Sequence, residues 1–126
     1  MRLLFALCAP LWGCQSSPDL PQLLAGIDTI EVWQAGKDTL RIEQKFYIKE
    51  VANHLAYTRA APLAPRYQVA FLRKRFKYVL LSGTIDAEAR QFSFLHRGKR
   101  YVCTVGKPAQ TVLQQARKYP SLLLSY

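Results

Sequence analysis

The sequence is poor in acidic residues, histidine and cysteine. Its 126 residues include 8 Asp and Glu against 18 Lys and Arg, with 2 His and 3 Cys, and the formal net charge is +10. No C-x-x-C or H-x-x-x-H spacing is present, and a zinc site needs about four such ligands. Phosphate-binding and nucleophile motifs such as G-x-x-x-x-G-K, G-x-G-x-x-G and G-x-S-x-G are also missing. We therefore expect no metal, no cofactor and no enzymatic activity.

The few residues with reactive side chains are expected to be structural. His54 lies beside the apolar stripe of a predicted helix, and His96 and Cys103 lie on neighbouring predicted strands. Cys103 is expected in the core, because a reactive thiolate needs an accessible and electropositive setting. His96 and Cys103 form the one couple with catalytic residue types, and the structural interpretation is favoured for both.

The chain begins with a short apolar segment that ends near a cysteine. Arg2 precedes the apolar residues 3–11, and Gly13 stands immediately before Cys14. This run is too short to span a bilayer as a helix, which needs roughly 20 apolar residues. A positive charge, an apolar run and a small residue before a cleavage point are typical of a signal peptide.

The segment Leu11-Trp12-Gly13-Cys14 resembles the lipobox of bacterial lipoproteins, with a leucine three places before the cysteine and a small residue just before it. The resemblance implies that residues 1–13 are a lipoprotein signal peptide and that Cys14 carries acyl chains, such as palmitate, in a membrane of the cell envelope. Gln15, rather than an aspartate, after the cysteine favours the outer membrane, facing the periplasm, if the organism is Gram-negative. The alternative is an apolar N-terminus packed in a core, with Cys14 as a buried thiol.

The rest of the chain is predicted to be a tether followed by one domain. Residues 14–26 are predicted to be a flexible tether, because residues 15–21 are polar, contain Pro18 and Pro21 and show no periodicity. Within it, residues 21–26 are compatible with one turn of helix, which Pro21 would begin and Gly26 would cap. Residues 27–126 suffice for a single small domain. With Cys8 removed and Cys14 acylated, Cys103 is left alone, and no intrachain disulfide is expected.

Hydrophobic periodicity predicts six strands and two helices. The strands are predicted at residues 27–34, 39–43, 66–72, 76–82, 91–96 and 100–105, and the helices at residues 45–59 and 109–119. The first helix is predicted from the apolar stripe Ile48, Val51, Ala52, Leu55 and Ala56. The order ββαββββα predicts an α+β fold, in which an antiparallel sheet carries both helices on one face. This order resembles the TBP-like arrangement and small uncharacterised bacterial lipoproteins with a Gly-Lys-x-Tyr turn, here at residues 98–101, and neither likeness implies an activity.

The last two predicted strands form a hairpin with a two-residue loop. The loop is placed at Gly98-Lys99 or, one residue earlier, at Arg97-Gly98. Both placements predict the same faces. One face carries Phe92, Phe94, His96, Tyr101, Cys103 and Val105, and the other carries Ser93 and Thr104.

Positive charge is concentrated in the second half of the chain, since residues 14–58 carry a net charge of −2 and residues 59–126 carry +11. Alternate turns of an up-and-down meander lie at the same end of the sheet. Seven cations are therefore expected at one rim: Arg73, Lys74, Arg75, Lys77, Arg97, Lys99 and Arg100. Asp86 and Glu88 are expected at the opposite rim.

Two interpretations of this rim remain open. It is either a pair of solvated turns whose cations discourage edge aggregation, or an anion-binding site. In the second case the protein would be a lipid-anchored, non-enzymatic binding module, and its rim would bind anionic lipid, lipopolysaccharide or an acidic protein. The alternative is a nucleic-acid-binding domain, if the chain is not exported. Nucleic acid is the less favoured partner, because no RNP-like or helix-turn-helix pattern is present.

Overall fold

The computed structural model describes residues 17–36 and 39–118. The predicted signal peptide, Cys14, part of the first hairpin turn and the C-terminal residues 119–126 lie outside the described residues. The described elements are α1 (Leu20–Leu23), β1 (Thr29–Trp33), β2 (Leu40–Ile42), α2 (Lys45–Ala52), β3 (Leu55–Tyr57), β4 (Tyr67–Arg73), a 3₁₀ turn (Lys74–Phe76), β5 (Tyr78–Ile85), β6 (Gln91–His96), β7 (Lys99–Val105) and α3 (Lys107–Lys118).

The described strands form one antiparallel sheet of seven strands in the order β2-β1-β4-β5-β6-β7-β3. The α+β class and the antiparallel sheet are therefore confirmed. The meander from β4 to β7 occupies the middle, with the β1–β2 hairpin on one side and β3 on the other. The chain crosses the sheet twice, once through α2 between β2 and β3 and once through residues 58–66 between β3 and β4.

The first long helix is shorter than predicted, and a strand takes its second half. α2 ends at Ala52, with Asn53 as its C-cap, and the N–H of Asn53 donates to the carbonyl of Lys49 at 2.9 Å. Leu55 and Tyr57 then pair with Val105 and Cys103 on β7. Both periodicities fit this stretch, because Leu55 follows Val51 at helical spacing and precedes Tyr57 at strand spacing.

The predicted helix over residues 45–59 is therefore too long, and the predicted order ββαββββα lacks one strand, β3. Ala56, which was assigned to the apolar helix stripe, is exposed on β3. Bonding to the open edge of β7 satisfies the backbone of this segment, which outweighs the weak helical preference of a half-apolar sequence.

One core cluster contains side chains from both the strands and the helices. Its members from the strands include Ile30, Ile42, Val32, Val69, Phe71, Ile85, Phe92, Phe94 and Cys103. Ile48 and Val51 of α2 and Ala109, Val112 and Leu113 of α3 belong to the same cluster. Burial of this apolar surface is the main stabilising contribution, at roughly 25 cal/mol per Å².

Two leucines of the predicted tether also belong to the core. Leu20 and Leu24 are buried and are spaced four residues apart, on α1 and just after it. That spacing places both side chains on one side of a helical turn. The packed part of the chain therefore begins before residue 27.

The β6–β7 hairpin uses the earlier of the two predicted loops. His96 pairs with Lys99, so the loop is Arg97-Gly98, and the φ angles of these residues are 53° and 79°. Two positive φ angles are typical of a type I′ turn, which matches the twist of the strands. The Gly98-Lys99 placement is wrong, but the predicted burial of Phe92, Phe94 and Cys103 is confirmed.

Strands β2, β1, β4 and β5 are joined to strands β6, β7 and β3 by a short pairing between β5 and β6. These strands pair at three positions, Gly83–Ile85 with Phe92–Phe94. β4 and β5 pair at seven positions and β6 and β7 at six. The joint between the two hairpins is therefore the shortest contact in the meander, and Gly83 lies within it.

Candidate functional site

The turns that carry the predicted cations lie at the same end of the sheet. β4 and β6 are both antiparallel to β5, so the β4–β5 turn and the β6–β7 turn follow strands that run in the same direction. We call this part of the molecule, residues 73–78 and 95–100, the basic end. The seven cations of the sequence prediction all belong to it.

The β4–β5 turn is held by a carboxylate from the start of β1. Asp28 accepts a hydrogen bond from the backbone N–H of Lys74 at 2.7 Å and a longer one from that of Arg75 at 3.5 Å. The hydroxyl of Thr29 also donates to Asp28, at 2.9 Å. Residue 28 thus fixes the backbone from which the first group of cations projects.

Two of the predicted cations are engaged within the fold. Lys74 Nζ lies 3.1 Å from Glu43 Oε2, in an ion pair with both side chains partly exposed. Arg73 passes so close to Gly26 that a Cβ at position 26 would lie 2.9 Å from Arg73 Nε. Exposed ion pairs contribute at most about 1 kcal/mol, and their charges remain partly available to other partners.

Acidic residues therefore lie at the basic end as well as at the opposite end. Asp28 and Glu43 come from the first half of the chain, and sequence analysis did not place them beside the cations. Each lies far from its partner in sequence, since Asp28 is 46 positions and Glu43 is 31 positions before Lys74. The signal that could have found them is the pairing of β1 with β4, which brings Thr29 opposite Leu72.

The β6–β7 turn presents its cations differently. Arg97 and Arg100 are exposed, and Arg100 pairs with Leu95 across the hairpin. Lys99 Nζ lies 5.5 Å from the centre of the Tyr101 ring, a cation–π geometry. No ion pair within the described chain involves these three residues.

Large apolar side chains are exposed at the same end. Five large hydrophobic residues of the described chain are exposed: Phe46, Leu63, Tyr78, Val79 and Leu95. Tyr78 and Val79 begin β5, and Leu95 stands one residue before the end of β6. Tyr78 and Leu95 therefore belong to the basic end, and Val79 adjoins it. Leu95 is 61% exposed.

The described chain begins beside β3 and β7, where Ser17 lines one depression together with Lys99 and Arg100. The hydroxyl of Tyr57, at the end of β3, donates a hydrogen bond to the carbonyl of Pro18 at 2.6 Å. Burial raises the pKa of Tyr57 to about 12, with smaller contributions from Cys103, Tyr101 and Asp19. The hydroxyl therefore stays protonated at neutral pH and keeps donating to the backbone of the N-terminal segment.

The opposite end of the sheet carries the acidic loop of residues 86–90. Asp86 is buried and accepts hydrogen bonds from the backbone N–H groups of Glu88, Arg90 and Gln91. Arg90 forms an ion pair with Glu88 at 2.9 Å. Asp86 is thus a structural carboxylate, and the two acids lie away from the basic end.

The histidines and the cysteine do not converge. The His54 Nδ1 group donates to the carbonyl of Glu50 at 2.7 Å, and His96 lies on β6 with its ring 6.5 Å from that of Tyr101. Cys103 is buried opposite Phe92, and burial raises its thiol pKa to about 11. The described residues contain no group of three or more His, Cys, Asp or Glu that could hold a metal ion.

An apolar cavity of about 470 Å³ lies between α1 and α2. Leu24, Ile27 and Ile48 contribute to its wall, and Lys45 and Lys49 also line it. Its size is within the range of small-molecule sites.

None of the described helices is both long and apolar enough to cross a membrane.

Comparison of the chain with protein-family models, with curated proteins and with solved structures finds no match in any of the three.

Ionisation of Asp28 should stabilise the basic end in a pH-dependent manner. Burial would raise its pKa, but hydrogen bonds from Lys74, Thr29 and Arg75, together with the charge of Arg73, hold the pKa below its usual value of 3.8. Because the folded-state pKa is the lower one, the contribution is present above the unfolded-state pKa and is lost as the pH falls through the folded-state pKa.

We therefore expect Asp28→Asn to lower the free energy of unfolding by about 1 kcal/mol at neutral pH, and by much less at about pH 3. Urea denaturation at both pH values measures the difference. Asp19→Asn is the control, because Asp19 makes no capping hydrogen bond with its side chain. An Asp28→Asn effect of the same size at both pH values would contradict the assigned role of the carboxylate.

Proposed function

We propose that this protein is a lipid-anchored, non-enzymatic binding module of the cell envelope, whose basic end takes an anionic partner. The carrying observation is that the cations of two turns lie at one end of the sheet, and that Ser17 shares a depression with two of them, Lys99 and Arg100. The lipobox-like segment before Cys14 supports the anchor. The proposal takes α2 and α3 to cover one face of the sheet, which is supported by their shared core cluster.

The electrostatics of the basic end support an anionic partner. Lys77, Arg97 and Arg100 are exposed and form no ion pair with a described residue. The carboxylate of Asp28 accepts a hydrogen bond from the backbone of the β4–β5 turn, and Glu43 forms an ion pair with Lys74. The exposed part of this end is therefore positive, and a positive surface attracts anions and speeds their association.

The surroundings of Cys103 and of the two histidines support a binding role rather than a catalytic one. A nucleophilic thiol needs a depressed pKa and an accessible setting, whereas Cys103 is buried and its pKa is raised to about 11. His54 and His96 lie on different elements, each beside a partner that accounts for its position.

Acylation of Cys14 can be tested in cells with a clickable palmitate analogue. We expect the wild-type protein to be labelled and found in the membrane fraction, and Cys14→Ala to lose both properties. Cys8→Ala is the matched control, because it changes another cysteine of the same apolar segment and should keep the label. An unlabelled wild-type protein in the cytosol, or a labelled Cys14→Ala variant, would rule out the anchor.

A further inference from the structure

The chain that would join a lipid on Cys14 to the domain enters at the basic end. Ser17 lines a depression of about 510 Å³ together with Arg59, Lys99 and Arg100. Tyr57 holds the next residue, Pro18, through the 2.6 Å hydrogen bond to its carbonyl. Three residues of chain span at most about 10 Å, so Cys14 stays within that distance of Ser17.

The same end combines the two kinds of side chain that a bilayer surface attracts. Lys77, Arg97 and Arg100 are exposed cations, and Tyr78, Val79 and Leu95 are exposed apolar residues that are more than half accessible. Cations are attracted to anionic headgroups, and tyrosine is favoured at the boundary between headgroups and acyl chains. The opposite end also has exposed cations, Arg66 and Lys107, but its exposed large apolar residue among those described is Leu63, at only 38%.

We propose that the basic end docks directly on the anionic bilayer in which Cys14 is anchored, with the β4–β5 and β6–β7 turns against the headgroups. This inference rests on the proposed function, because the acylated Cys14 brings the domain to the membrane. It goes further in naming the partner as phospholipid and in fixing which end of the sheet faces it.

A bilayer fits this surface better than an acidic protein does. The cations and the apolar residues occupy two separate turns at the end of the molecule, which suits a flat and extended partner. The three residues from Cys14 to Ser17 span at most about 10 Å, which keeps the domain close to the headgroups, and attraction between exposed charges and headgroups is screened over roughly 8 Å at physiological salt. A docked orientation therefore needs no partner other than the membrane that holds the anchor.

The test uses the mature protein reconstituted in vesicles, after its mass has been measured. Amide hydrogen exchange is followed in vesicles of phosphatidylcholine alone and in vesicles that also contain phosphatidylglycerol. We expect residues 73–78 and 95–100 to exchange more slowly in the anionic vesicles, and the loop of residues 86–90 to exchange at the same rate in both. High salt should remove much of the difference.

Variants that change charge or apolar surface at one end only separate docking from stability. Lys77→Glu/Arg100→Glu should reduce the docked population by at least about thirtyfold relative to the undocked one, since the loss of each cation near an anionic surface removes roughly a factor of five and the glutamates add repulsion. Arg66→Glu/Lys107→Glu makes the same change of charge at exposed positions of the opposite end and should keep the protection. Val79→Ser/Leu95→Ser should weaken docking in both salt conditions, whereas Leu63→Ser, a change of an exposed residue beside Gln91 at the opposite end, should not.

The outcomes distinguish the two proposals. A mature mass that retains residues 1–13 and carries no acyl chain overturns the anchor and, with it, the docked orientation. An acylated protein whose two ends exchange alike in anionic vesicles overturns the docking and leaves the anchor standing. Protection that appears only when acidic envelope proteins are added also overturns it, and assigns the basic end to an acidic protein.

Discussion

Gly83→Ala should lower the free energy of unfolding by about 3 kcal/mol, because this glycine allows β5 and β6 to approach each other. A Cβ at position 83 would overlap the carbonyl oxygen of Ser93, and it would lie 2.8 Å from Phe92 Cε1 and 3.0 Å from Phe94 Cβ. The first of these atoms is backbone and cannot rotate away. The strands must therefore separate at the joint where they pair at only three positions.

Ser82→Ala provides the control for this prediction. Ser82 is the neighbouring residue on the same strand and is exposed, so its replacement should change the free energy of unfolding by less than about 0.5 kcal/mol. Urea denaturation measures both variants. Hydrogen exchange of β6 in Gly83→Ala should show the loss of pairing directly. An effect of Gly83→Ala no larger than that of Ser82→Ala would contradict the close approach of the two strands.

Asp86→Ala should also lower the free energy of unfolding by about 3 kcal/mol. The buried carboxylate accepts N–H groups from Arg90 and Gln91 at 2.8 Å and from Glu88 at 3.2 Å. Hydrogen bonds to a charged acceptor are stronger than neutral ones, and alanine would leave these donors without an acceptor. The loop also holds α3, since the carbonyl of Glu88 accepts from the side chains of Gln110 and Gln114.

Asp86→Asn and Glu88→Ala show whether this loss comes from the hydrogen bonds or from the surface charge. The asparagine keeps one acceptor oxygen, so we expect roughly half the effect of alanine. Glu88→Ala removes only an exposed ion pair with Arg90 and should cost less than about 1 kcal/mol. Chemical denaturation at neutral pH compares all three variants. Equal effects of Asp86→Ala and Glu88→Ala would argue against the structural role of the buried carboxylate.

Local patterns in the sequence predicted six of the seven described strands, including the edge strand β2, but not the opposite edge strand β3. Alternation identified the strands of the meander, and the faces of the last hairpin were right for either loop because both registers have the same parity. The stretch around Leu55 satisfies both periodicities, and only the open edge of β7 decides between them. That edge is formed by residues far along the chain, so no local window contains the information.

The same limit applies to the candidate site. The clustering of the turns follows from the connectivity of a meander, so the seven cations could be placed at one end. The acids Asp28 and Glu43 arrive through the pairing of β1 with β4, a non-local contact that the periodicity of either strand does not reveal. The exposure of Leu95 and Val79 was not predicted either, because alternation alone does not say which face of a strand meets the solvent.

The route of the chain through the sheet makes the fold a single cooperative unit. The half formed by β2, β1, β4 and β5 draws on residues 29–42 and 67–85, and the half formed by β6, β7 and β3 draws on residues 55–57 and 91–105. The backbone thus passes from one half to the other three times, so neither half is a continuous fragment. Folding must close these long loops together, which favours slow, all-or-none assembly over stepwise growth from one terminus.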